Sequence, residues 1–78
     1  MDERIIKLDL RDLPPAERHG TIFELWDRLA PGQAILLIND HDPKPLYYQF
    51  AAEFEGKFQW HYEQEGPEDW IVTIGKLS

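Results

Sequence analysis

Gln33-Ala34-Ile35-Leu36-Leu37-Ile38, running on into Asn39-Asp40-His41-Asp42-Pro43-Lys44-Pro45 and then Leu46-Tyr47-Tyr48-Gln49-Phe50, decides how the rest of the chain is read. Gln33 to Ile38 is apolar without alternation, which fits a strand that is central in its sheet or covered on both faces. The last part is helical in character, with Tyr47, Phe50, Ala51 and Phe54 as its inward face and Gly56 as its stop. Between them two acids, a histidine, a lysine and two prolines fill six positions. Asp42 reads as a helix N-cap with Pro43 in the first turn. Lys44 precedes a proline, which disfavours helical geometry there and makes Pro45 the alternative start.

Upstream, Arg4 to Leu10 alternates, with Ile6, Leu8 and Leu10 on one side and Ile5, Lys7 and Asp9 on the other. This is a strand with one buried face. Pro14-Pro15 stops it, because proline has no N–H to give a sheet. Ala16 to Ala30 then follows a helical period, with Ile22, Leu25, Trp26 and Leu29 as one stripe and Pro31-Gly32 as the stop. Downstream, Lys57 to Gln64 alternates around Phe58, Trp60 and Tyr62, and Glu65 to Glu68 turns. Trp70 to Ile74 is the last strand. The order is β-α-β-α-β-β. The right-handed crossover rule makes the first two strands parallel neighbours, and the last two form a hairpin. Both helices lie on one face, giving an α/β two-layer sandwich, read as one domain over residues 1–78. The open face carries Ile5 and Ile71 beside Lys7, Gln59, His61 and Glu63, and fits a monomer or a homodimer.

Composition narrows the function classes. The chain has no cysteine, so disulfides, thiolate zinc sites, iron–sulfur clusters, cysteine nucleophiles and persulfides are excluded. Fifteen acids against eight bases give a net charge of −7. The bases are scattered rather than striped, which argues against nucleic acid and anionic membranes as partners. No apolar run approaches the ~20 residues of a membrane span. Met1-Asp2-Glu3-Arg4 does not open a signal peptide, and a cytoplasmic location fits.

Ligands of open sheets collect beyond the carboxyl ends of parallel strands. Two loops share that edge, Arg11 to His19 and Asn39 to Pro45, and both run into helix N-termini. They bring Arg11, Asp12, Glu17, Arg18, His19, Asp40, His41, Asp42 and Lys44 to one end. With Asp42 and Pro43 assigned to helix initiation, the candidate ligand-binding set is Arg11, Glu17, His19, Asp40, His41 and Lys44, with Tyr48 on the outer side of the second helix. Three chemistries compete. The leading one is binding of a small ligand or partner protein without catalysis. The alternative is a transition metal or haem on His19 and His41. The third is a small enzyme with His41 as general base. Against each stands a plain role: surface ion pairs for Arg11 and Lys44, a backbone-bonded loop imidazole for His41, a solvated first-turn residue for His19. No HExxH pair and no glycine-rich phosphate loop is present, and the only serine is Ser78, so nucleophilic catalysis is disfavoured.

The run Leu8-Asp9-Leu10-Arg11-Asp12-Leu13-Pro14-Pro15-Ala16-Glu17, with Ala30-Pro31-Gly32-Gln33 after the first helix, resembles TusA-like sulfur-carrier domains. Asn39 to Phe50, with Pro14-Pro15 and Glu17-Arg18-His19 upstream and Gly66-Pro67-Glu68 and Trp70 downstream, resembles a bacterial TusA-like family labelled only as a domain of unknown function, DUF2249. The resemblance implies a mixed four-stranded sheet in the order 1-2-4-3, its last strand antiparallel to the rest. The sulfur-carrier activity does not transfer, since the cysteine would fall near Pro15. The resemblance also implies a link to hemerythrin-like or cupin domains in respiratory or nitrogen-oxide redox settings.

Overall fold

A computed structural model of the chain describes residues 4–78. Four strands and two helices follow in the expected order: β1 (Ile5–Asp9), α1 (Pro15–Arg28), β2 (Ala34–Asn39), α2 (Lys44–Glu53), β3 (Phe58–Glu65) and β4 (Trp70–Lys76). The sheet order is β1-β2-β4-β3. β1 and β2 are parallel, whereas β4 runs antiparallel to both β2 and β3. This is the α/β arrangement read from the sequence, and the strand order is the one implied by the resemblance.

The continuous apolar run of β2 is explained by its central place between β1 and β4. Ile35 and Leu37 are fully buried on the helix side. Their neighbours in register, Ile74 and Val72 on β4, are buried with them. Ile22 and Trp26 of α1 close over this face, and Phe50 of α2 meets Trp26 edge to face with ring centroids 5.0 Å apart. Aromatic pairs favour that arrangement because the ring edge is positive and the face negative.

Several local expectations need correction. α1 ends at Arg28, two residues early, because Leu29 takes an extended backbone and its N–H bonds to the Trp26 carbonyl. Gly32 then turns the chain into β2 with φ 94°, a value that a side chain would strain. α2 begins at Lys44 after Pro43, and no side chain caps it. Asp42 is therefore not the cap. Its carboxylate accepts a hydrogen bond from the Tyr62 hydroxyl of β3 at 2.8 Å. The inward stripe of α2 is Leu46 and Phe50, four apart, while Tyr47 is partly exposed. Tyr47 instead lies against Phe58 and Trp60 of β3. On β3 a bulge at Glu63 breaks the register between Tyr62 and Gln64. A bulge twists an edge strand out of line for further pairing. The open face carries Ile5, which is 57% exposed.

Candidate functional site

The two strand-to-helix loops meet at the carboxyl end of β1 and β2, as expected from the topology. The residue that joins them is Arg18, which is buried although it lies only one turn into α1. It continues the Ile22–Trp26 stripe backwards by four residues, and so points over the sheet. Its Nε donates to the Leu13 carbonyl at 2.9 Å. Nη1 donates to Asn39 Oδ1 at 2.9 Å and to Asp40 Oδ1 at 2.7 Å, and Nη2 donates to Asp40 Oδ2 at 3.1 Å. The planar guanidinium thus grips Asp40 through both carboxylate oxygens, the strongest geometry for such a pair. Asp40 in turn accepts from His41 Nδ1 at 2.8 Å. The Arg18 hydrogen bond, with the His41 contact second, holds the Asp40 carboxyl well below the usual carboxylate range. Asp40 raises the Arg18 pKa in return. An ionised carboxylate only accepts, so His41 carries its hydrogen on Nδ1 and leaves Nε2 free.

Beside this pair is a pocket of about 90 Å³ lined by Leu10, Pro15, Arg18, His19, Ile22, Asn39, His41, Pro43, Pro45 and Leu46. Both helix N-termini contribute to it. Pro14, Pro15, Pro43 and Pro45 carry no N–H, so few backbone donors are left there and the side chains dominate. The walls are mainly apolar and the polar groups are Arg18, Asn39 and two imidazoles.

Of the seven candidate residues, His19 and His41 line this pocket and Asp40 orients His41. The other four lie elsewhere. Arg11 pairs with Asp9, Nη2 to Oδ2 at 2.7 Å, and reaches Asp69 at 3.4 Å. That spans the end of β2 from β1 to the residue before β4. The Arg11 hydrogen bonds lower the Asp9 pKa to about 2. Glu17 is exposed on the first turn of α1, where its carbonyl accepts from the Thr21 hydroxyl. Lys44 and Tyr48 line a separate groove of about 160 Å³ with Tyr47, Trp60 and Tyr62. Burial, followed by the bond to Asp42, raises the Tyr62 pKa.

Two residues outside the candidate set matter more than several within it. Arg18 is among the residues that topology brings to this end, and its burial leaves no local mark in the sequence. Asn39 is 5% exposed. Its signal was period two: Ile35, Leu37 and Asn39 share the covered face of β2.

Among the described residues no three His, Cys, Asp or Glu side chains converge to hold a metal ion. His19 and His41 supply two imidazoles, fewer than the three protein ligands of an open catalytic zinc site.

A family model described as uncharacterized conserved protein (DUF2249) matches residues 7–76. The chain belongs to that family. The DUF2249 match spans both loops, the pocket and the aromatic groove. Searches of curated proteins and of solved structures gave no match. No helix among the described residues is long and apolar enough to cross a membrane.

Proposed function

We propose that this DUF2249 domain is a binding module without catalysis, taking a small ligand or a side chain of a partner protein in the pocket between the two loops. One observation carries the reading. The pocket gathers His19 from the start of α1 and His41 from the loop before α2, above a buried Arg18 that is already neutralised by Asp40. This ion pair, buried on its Arg18 side, fixes the relative position of the two segments, and the histidines are left at the surface to meet a ligand. The residues implied are His19, Asp40 and His41, joined by Arg18 and Asn39. Arg11 and Glu17 act outside this pocket, and Lys44 with Tyr48 forms a second contact surface for a larger partner. A bacterial redox setting, with a hemerythrin-like or cupin partner, is the context suggested by the resemblance.

Amide-resolved NMR tests the reading. A fragment or co-encoded partner that binds should move resonances of Leu10–His19 and Asn39–Leu46 together, and His19→Ala with His41→Ala should weaken binding about tenfold or more. Movements confined to the open sheet face would refute it. The competing metal reading predicts stoichiometric zinc or iron uptake that the same double variant abolishes. Two imidazoles without a third ligand lead us to expect none by titration calorimetry.

A further inference from the structure

We infer that the pocket is selective for a small planar oxyanion of carboxylate or nitrate size, and that the side-chain amide of Asn39 is the donor that selects it. The inference rests on the binding reading above and adds the chemical class.

Asn39 is nine-tenths buried, yet only half of its amide is satisfied. Arg18 can only donate, so the Asn39 oxygen must face it, and the 2.9 Å bond fixes the orientation of the amide. The NH2 group is then on the other side. It has no hydrogen-bond partner among the described residues. Nor is it sealed off from solvent with the fully buried unpaired atoms. Asn39 lines the pocket, so this NH2 is the polar group it has left to offer there. Buried amides without partners cost stability, and proteins rarely leave them so.

Arg18 adds a second donor. Its Nε and both Nη1 hydrogens are used, whereas Nη2 makes a single bond to Asp40 and retains one hydrogen. The unused side-chain capacity in the buried part of the pocket is therefore donor only. No carboxylate lines the pocket, and Asp40 beside it is cancelled by Arg18. His19 and His41 at the walls add donors when protonated. A cation finds no buried acceptor in this arrangement, and a volume of about 90 Å³ admits a few heavy atoms rather than a nucleotide.

The test is a titration of the whole labelled chain with sodium acetate, sodium nitrate and, as neutral isostere, acetamide, at constant ionic strength set with chloride. Acetate and nitrate should move the Asn39 side-chain NH2 resonances saturably in the millimolar range, further than any other side-chain amide. Acetamide should bind at least about tenfold more weakly. Asn39→Asp keeps the shape and the acceptor for Arg18 but replaces the donor by an oxygen, and should reduce acetate affinity by about tenfold or more. Near-ultraviolet circular dichroism checks that the variant folds. If it does not, the wild-type Asn39 resonances alone decide the matter. Acetamide binding as well as acetate would overturn the oxyanion class and leave the pocket reading intact. No response of pocket resonances to any of the three would overturn both.

Discussion

Two arginine–aspartate pairs stand at the same edge of the sheet and differ mainly in their surroundings. Arg11 holds Asp9 with its side chain 43% exposed, and Arg18 holds Asp40 with its side chain 7% exposed. Arg11 has one acidic partner on β1 and another in the turn before β4, and could be replaced by water at each. Arg18 has a half-exposed carboxylate, a buried amide oxygen and a backbone carbonyl, and its own side chain is closed to water. Similar ionic geometry thus serves as surface decoration in one place and as the keystone between two loops in the other. The lesson is that a count of charges at an edge says little until the groups behind each charge are known.

Four measurements press on that contrast, from the largest expected effect to the smallest. Arg18→Met keeps the volume but strands Asn39 Oδ1 and the Leu13 carbonyl, so the melting temperature should fall by roughly 10 °C or more. A loss no greater than that of Arg11→Ala would remove the contrast altogether. Asp40→Asn leaves the Arg18 charge with a weaker acceptor, and calorimetry should show a drop of roughly 5 °C. The third measurement is stability against pH. Asp40 and Asp9 both titrate lower in the fold than the value near 3.9 of an unfolded aspartate. Each therefore contributes stability that is present above about pH 4 and is lost as pH falls through the folded value, about 2 for Asp9. Melting temperature should fall steadily on acidification below about pH 4, and Asp40→Asn should flatten that limb more than Asp9→Asn does. Asp40 is itself 47% exposed, so equal flattening would mean that burial of its Arg18 partner adds nothing to the linkage. Last, Arg11→Ala should lower the melting temperature by no more than about 3 °C at low salt, and by less in 1 M sodium chloride, where the Debye length is about 3 Å.

The sheet and both helices could be read from periodicity because burial on one face leaves a regular apolar mark. Ile6-x-Leu8-x-Leu10 and Phe58-x-Trp60-x-Tyr62 carry it at period two, and Ile22, Trp26 and Leu29 at the helical period. The location of the edge followed from topology. What was not legible is how the polar residues divide. Arg18 and Asn39 sit on the same buried rows as Ile22 and Leu37, but a polar residue at the end of an apolar row reads equally well as the row's stop. Asp42 looked like a cap from its neighbours, and its real partner, Tyr62, is twenty residues away. Lys44 and Tyr48 went to a different groove because α2 turns Leu46 inward rather than Tyr47. Those outcomes depend on contacts across the sheet, which no local pattern reports.

The Tyr62–Asp42 bond has a further consequence. Asp40 is fastened to α1 by Arg18 and Asp42 is fastened to β3 by Tyr62, so His41 is the middle of a three-residue span anchored at both ends. Such a span has little conformational entropy left to lose when a ligand arrives. Tyr62→Phe would release one anchor while leaving the lining residues in place. Association would then carry a larger ordering cost, visible as a more unfavourable binding entropy at nearly unchanged enthalpy. On this view the far strand, which takes no part in the pocket, contributes by keeping its loop still.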